Sequence, residues 1–505
     1  MPVARIGSTA LWGVEAHPLV VEVDVSPGLP VLTTVGLPGS AVRESRVRVK
    51  SAIRNSGFEF PSRRVAVNLA PADLPKQGTG LDLPIALALL AASGQLNGVD
   101  LSAVWALGEL ALEGEVRAVP GVLPALVAAQ RHKAECLCLP ASGAAVAALL
   151  PGLRIWAVRS LSECVEALRR REPPPGPAGN EAEIRRRPAS HLVDLSDVRG
   201  HAHARRALEI SAAGGHALLL VGPPGAGKTM LARRLPTLLP PLTPEEQIEV
   251  SCIYSAIDPA CLRDGLLVGS PFRSPHHTIS QAALVGGGAD PRPGEITLAH
   301  RGVLFLDELS EFRPRVLDAL RQPLEEGEVR IARSRRTVCL PARCVLVAAL
   351  NPCPCGYRGD PVHPCLCSEA QWRRHDRILS GPLLDRMDLQ VEVARPDQIA
   401  WEGPRESSAA VRERVGHARS RMMSRRAQEG VLNGHLTAPA LEMVVRLPGG
   451  AQRLLDSVTS RFALSPRVRH RVLKVALTLA DIEGRDQVLE RHVAEAVQYR
   501  TQGHR

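Results

Sequence analysis

The stretch richest in chemistry is Gly222-Pro223-Pro224-Gly225-Ala226-Gly227-Lys228-Thr229. Its glycines permit a tight turn in which successive backbone N–H groups converge on an oxyanion. Lys228 reaches the β and γ phosphates of a nucleotide, and Thr229 offers a hydroxyl ligand to Mg²⁺. The eight residues read as a Walker A loop and as the ATP-binding candidates. A second set, Asp307 and Glu308, ends the apolar run Val303-Leu-Phe-Leu306. Asp307 is expected to hold Mg²⁺ together with Thr229, and Glu308 to polarise the attacking water. A third set is thiol-based: Cys353-Pro-Cys355 and Cys365-Leu-Cys367 form two C-x-C pairs nine residues apart. Four thiolates so spaced could close a tetrahedral Zn²⁺ site, although one residue between paired cysteines is tighter than the usual two; the alternative is a set of reduced, packed cysteines.

These groups work only if the fold brings them to one place. The apolar run Ala217-Leu-Leu-Leu-Val221 before the loop and Met230 to Leu235 after it read as strand, turn and helix, with the positive end of the helix dipole at the phosphates. Val303 to Leu306 is apolar throughout, as in a parallel strand covered on both faces, and ligands of such sheets bind at the carboxyl ends of the strands. A third apolar run, Cys344 to Leu350, ends at Asn351.

Four regions follow along the chain. Residues 1–171 alternate short strands and helices as an α+β unit, and 172–190 are a Pro/Arg-rich linker, since proline lacks the N–H that helices and central strands need. Residues 191–400 are expected to form an α/β core with a Cys-rich insert at 353–367, and 401–505 to be helical. Within the last region Ser465 caps and Pro466 opens a helix reaching Ile482, so Arg467 stands at a helix N-terminus.

Loop, acidic strand end, Asn351, Arg386 and Arg467 occur in the order of the parts of an AAA+ ATPase. That resemblance implies a sensor 1 role for Asn351, an arginine finger acting across a subunit boundary for Arg386, and a sensor 2 role for Arg467 in a helical lid. An intramolecular pair with Asp385 or Asp388 is the other reading of Arg386. Pro271-Phe-Arg-Ser-Pro-His-His277 through Gly288, Pro291 through Glu308, and Asn351-Pro-Cys-Pro-Cys-Gly356 resemble the ComM/YifB family of magnesium-chelatase-like AAA+ ATPases over nearly the whole chain. The resemblance implies a hexameric ring that binds single-stranded or branched DNA and promotes branch migration in natural transformation, with ATP and Mg²⁺ as cofactors. A magnesium-chelatase-like or protein-remodelling ATPase acting on a protein partner is the alternative.

Pro75 to Ala86 and Gly108 to Gly121 resemble the proteolytic domain of Lon proteases, a ribosomal-protein-S5-like fold. The serine and lysine positions of that family fall on Gly80 and Leu123, neither of which can do the chemistry. The unit is therefore expected to be non-proteolytic, with Asp73, Lys76 and Asp82 in turn-forming or structural roles. Glu328 to Leu340 reads as a hairpin carrying Arg333, Arg335 and Arg336, candidate DNA-phosphate contacts by likeness to the pore hairpins of AAA+ helicases, with a solvated hairpin as the alternative. His276 and His277 are placed in a substrate-facing loop.

Composition sets the remaining bounds. Net charge is +10, and 57 arginines against 5 lysines favour bidentate contacts to phosphate or carboxylate. Aromatic content of 3% fits backbone tracking better than base stacking. No run approaches the ~18 apolar residues of a membrane helix, and Glu15, His17, Glu22 and Asp24 interrupt any signal-like core. The expectation is a cytoplasmic protein with reduced or metal-bound cysteines.

Overall fold

Alternation of buried and exposed side chains builds the first sheet. In the strand Glu15–Ser26 the buried positions are Leu19, Val21, Val23 and Val25, the period-two signature of a strand with one face on the core. The computed structural model describes residues 3–144, 152–174, 193–261, 265–288, 291–332, 337–379, 386–394, 405–425 and 431–501. Glu15–Ser26 returns antiparallel along Ala4–Trp12, with Ala4 opposite Val23 and Trp12 opposite Glu15. Seven strands then lie in the order Leu32–Val35, Arg64–Ala70, Glu15–Ser26, Ala4–Trp12, Val104–Ala106, Cys136–Pro140 and Arg154–Val158. The strand Ala4–Trp12 carries no alternation because Ile6 through Ala10 are all buried, and it was not legible in the sequence. Gly7 in this strand lies under the Trp105 indole, where an added Cβ would come within 2.3 Å of the ring.

The Lon-like positions are structural here. A side chain at Gly80 would press on Leu107 at 2.9 Å, and Leu123 is fully buried. Lys76 is buried and donates to the Pro71 carbonyl. Asp82 accepts two bonds from Arg48, at 2.6 and 3.1 Å, and one from the Leu110 N–H at 3.3 Å.

The second sheet has five parallel strands in the order Phe272–Arg273, Val303–Leu306, Val345–Leu350, Leu218–Val221 and Leu389–Glu392. Every residue of Val303–Leu306 and Val345–Leu350 is buried, as the apolar runs require of central strands. Leu306 stands beside Ala348 and Val221 beside Leu350, so the three strands run out at one edge. Helices Ala202–Gly214 and Lys228–Leu238 share an apolar core with the C-terminal helices Ser408–Ser424, Gly449–Arg461, Pro466–Ile482 and Glu490–Thr501. Among the described residues no helix is long and apolar enough to cross a membrane.

Among the described residues, two contacts join the two sheet-containing units. The turn at Gly13, with φ of +67°, abuts the hairpin formed by Glu328–Ala332 and Thr337–Pro341, and a Cβ there would be 2.6 Å from Val338. Val14 joins the apolar cluster of Phe312, Val338 and Leu340. In the second contact, helix Val122–Arg131 docks on helix Pro244–Ser255: the N–H of Gly121 donates to the Ser255 carbonyl at 2.7 Å and that of Leu123 to its hydroxyl at 3.3 Å. Arg333, Arg335 and Arg336, between the hairpin strands, lie outside the described residues, as does most of the expected linker.

A buried polar network ties the parallel sheet to the helical region. Asp388 takes hydrogen bonds from His216 Nδ1 at 3.0 Å and Arg471 at 2.7 Å, and His216 Nε2 is bonded to the Thr478 hydroxyl at 2.8 Å. Burial alone would raise the Asp388 pKa, but the His216 hydrogen bond and the charges of His216, Arg471 and Lys474 outweigh it and hold the carboxyl well below the usual range. A depressed carboxylate pKa contributes stability that is fully present above the unfolded value near ~4 and is lost as pH falls through the folded value. Asp388→Asn is therefore expected to cost about 3–5 kcal/mol at pH 7, because it leaves Arg471 buried beside a neutral group. Melting temperatures measured from pH 7 downward should show a gap between variant and wild type that narrows below pH ~4; equal melting at pH 7 would exclude a stabilising role for this carboxylate.

Candidate nucleotide site

Between the strand Leu218–Val221 and the helix Lys228–Leu238 the chain makes the turn that the glycines anticipate. Gly225 and Gly227 have φ of +77° and +90°, conformations in which a side chain is strained. Gly222 has a different reason: a Cβ there would lie 2.2 Å from the Val393 carbonyl oxygen of the neighbouring strand end. The helix starts at Lys228, so its first N–H groups, without partners in the helix, face the turn. Lys228 Nζ donates to the carbonyls of Gly222 and Pro223 at 2.7 and 3.0 Å and to Asn351 Oδ1 at 3.0 Å. Burial pushes its pKa below the ordinary lysine value, opposed by the charges of Asp307 and Glu308. Thr229 donates its hydroxyl proton to Asp307 Oδ2 at 2.7 Å.

A cavity of about 390 Å³ opens at this edge, lined by Pro224 through Met230, Asp307, Glu308, Leu350 and Asn351. Its volume falls within the ~300–1,000 Å³ of small-molecule sites. Loop amides, one ammonium and a hydroxyl–carboxylate pair suit a polyphosphate with a divalent cation. Glu308 is held in the left-handed region at φ of +51°, its N–H bonded to Asp307 Oδ1 at 3.0 Å. Strain of this kind in a residue other than glycine is typical of functional positions.

The strand Phe272–Arg273 runs parallel beside Val303–Leu306, so the residues after it emerge next to Glu308. His277 Nδ1 lies 3.7 Å from Glu308 Oε2, and its ring meets Phe312 edge-on and His276 at 4.1 Å between centroids. The structure puts His277 beside the acidic pair. The strand Phe272–Arg273 that brings it there is too short a run to read from sequence.

Arg386 and Arg467 are not in the cavity lining of their own chain. They share one carboxylate: Arg467 is 2.9 Å from Glu325 Oε1, and Arg386 pairs with the same oxygen. Asp388, one of the acids considered for Arg386, is engaged by His216 and Arg471, and Asp385 lies outside the described residues. Glu325 is 142 residues from Arg467, and no local pattern linked them.

Comparison with known proteins covers nearly the whole chain. Family models described as "Subunit ChlI of Mg-chelatase", "Magnesium chelatase, subunit ChlI" and "Magnesium chelatase, subunit ChlI C-terminal" match residues 21–143, 194–400 and 405–500. YifB of Escherichia coli K12 is 44% identical over 99% of this chain and 97% of its own length. The competence protein ComM of Haemophilus influenzae Rd is 44% identical over 99% and 98%. The chain belongs to the ComM/YifB family of magnesium-chelatase-like AAA+ proteins. A shorter similarity, 30% identity over 27% of this chain, links it to Lon protease 2 of Bacillus subtilis.

The fold of this ComM/YifB member is thus an α/β AAA+ P-loop core with C-terminal helices and a Lon-like α+β unit. Its structure also gathers Cys353, Cys355, Cys365 and Cys367, whose sulfurs all lie within 4.8 Å of one another. For the cavity, Lys228→Ala is expected to weaken ATP binding by at least about tenfold, ~1.4 kcal/mol, in titration calorimetry. Unchanged affinity would remove Lys228 from the binding site.

Proposed function

We propose that the protein is an ATP-hydrolysing motor that works on single-stranded or branched DNA as a hexameric ring, in branch migration and recombination during natural transformation. One observation carries the ATPase reading: Lys228, Thr229, Asp307, Glu308 and Asn351 converge on a single cavity at the carboxyl ends of three parallel strands. Two facts support the DNA reading. One is the relative named as a competence protein, and the other is a net charge of +10 carried by arginine.

In this reading the amides of Gly222, Pro223 to Gly227 excepting the prolines, hold the phosphates, and Lys228 transfers its donors from the two carbonyls to phosphate oxygens. Mg²⁺, when bound by Thr229 and Asp307, offsets the charge of the β and γ phosphates. Glu308 accepts the proton of the attacking water, Asn351 orients that water, and His277 positions the Glu308 carboxylate. Arg386, joined with Arg467 at Glu325 away from their own cavity, leaves Glu325 for the γ phosphate of the adjoining subunit, and Arg467 serves as the sensor 2 contact to the γ phosphate. Arg333, Arg335 and Arg336 contact DNA phosphates, and Zn²⁺ at the four cysteines is a structural ion. Residues 1–171 form the non-proteolytic unit, 172–190 the linker, 191–400 the motor core and 401–505 the lid, in a cytoplasmic protein.

The direct test is ATP turnover by the full chain with no DNA, single strands, duplex and a four-way junction, with Lys228→Ala as the blank. Stimulation strongest with the junction is expected. Turnover indifferent to every DNA overturns the motor reading, and none above the blank overturns the ATPase reading. Arg386→Ala should lower turnover by about 10³-fold or more, and mixing it with Glu308→Gln should restore a fraction only if the arginine acts between subunits. His277→Ala should lower kcat by about tenfold at constant KM, with part of the loss recovered in His277→Gln, as a residue that positions the base requires. A fall in nucleotide affinity instead would assign His277 to binding.

A further inference from the structure

Four thiols meet in the loop that follows Asn351. The sulfur of Cys353 is 3.4 Å from that of Cys355 and 3.6 Å from that of Cys365, and the last two are 3.5 Å apart; Cys367 completes the group. None is in a disulfide. Four sulfurs at ~2.3 Å from a tetrahedral ion stand about 3.8 Å from one another, so the observed separations are close to those of a ligand shell. Donors surround the cluster as well. The Cys355 N–H donates to Cys367 Sγ at 3.3 Å, and the Trp372 indole N–H donates to Cys365 Sγ at 3.3 Å. Arg358 lies over the Trp372 ring at 4.8 Å. Bonds of this kind orient the sulfurs as ligands. Four thiolates from the protein leave no open coordination position, the pattern of a structural zinc rather than a catalytic one, and soft sulfur ligands exclude Mg²⁺.

The loop also touches the nucleotide cradle. Cys353 stands two residues after Asn351, which accepts from Lys228 Nζ at 3.0 Å. Gly356, at φ of +86°, packs so closely on the cradle that a Cβ would be 2.6 Å from Pro224 Cδ and 3.9 Å from Asn351 Cγ. The cysteine loop and the Walker A turn are therefore one packed unit, in contact at Pro224 and at Asn351.

We infer that Cys353, Cys355, Cys365 and Cys367 bind one Zn²⁺ per chain and that the metal-ordered loop braces Pro224 and Asn351, making nucleotide affinity dependent on zinc. The coupling rests on the reading of the cavity as an ATP site, whereas the metal site stands without it. The test uses the full-length wild-type protein. Elemental analysis should find one zinc per chain, and exchange for Co²⁺ should give the visible absorption of tetrahedral thiolate coordination. Removal of zinc by a zinc-selective chelator in reducing buffer, with Mg²⁺ kept present, should weaken binding of a fluorescent ATP analogue by at least about fivefold, and added Zn²⁺ should restore it. Cys365→Ser should lose both the metal and the affinity, with circular dichroism showing that the fold is kept; the cobalt spectrum of the wild type decides the site even where that variant misfolds. Protein without stoichiometric zinc or a thiolate–cobalt spectrum overturns the site. Zinc that can be removed with nucleotide affinity unchanged overturns the brace. Stoichiometric zinc in a wild-type protein that binds no ATP overturns the nucleotide reading and the coupling with it, and confirms the metal site alone.

Discussion

The hydrogen bond from Thr229 to Asp307, 2.7 Å long, joins two residues 78 apart in the chain and depends on almost everything else in the core. It needs the turn after Val221 and the end of Val303–Leu306 at the same height, which the parallel pairing of both strands with Val345–Leu350 provides. It needs a loop without side chains at Gly225 and Gly227, because their backbone torsions are strained for other residues. It also needs Lys228 kept beside the acidic pair although partly removed from water, and three oxygens within 3.0 Å compensate for the lost hydration.

The cradle is supported from both sides in the sheet direction. Strand Leu389–Glu392 closes one flank, where Val393 approaches Gly222 so closely that only glycine fits. The same segment begins at Asp388, whose bonds to His216 and Arg471 fasten the sheet to the helices behind it. One strand therefore joins the helical region, at Asp388, to the Walker A turn, at Val393. On the other flank Phe272–Arg273 delivers His277 to Glu308.

The Lon-like unit packs on the parallel-sheet unit through two contacts. Its first hairpin turn presses Gly13 and Val14 on the Glu328–Pro341 hairpin, and its helix Val122–Arg131 leans on Pro244–Ser255. Both contacts bury apolar side chains next to elements flanking the acidic strand. Leu123, fully buried, is part of that interface through its backbone N–H.

Local constraints were legible in the sequence. The Walker A loop could be read because the turn, the phosphate-binding amides, Lys228 and Thr229 are all set by one short stretch whose spacing is its geometry. The buried parallel strands were legible from unbroken apolar runs, and the helix opening at Ser465 from its cap, whose hydroxyl accepts from the Val468 N–H. Tertiary structure alone decided which distant groups meet. The pairing of Arg386 and Arg467 on Glu325, the approach of His277 to Glu308 and the contact of Gly356 with Pro224 come from strand order and helix packing, for which composition carries no signal. The strand Ala4–Trp12 was hidden for a related reason: covering on both faces removes the alternation that marks a strand, and that covering is a property of the assembled fold rather than of the nine residues themselves.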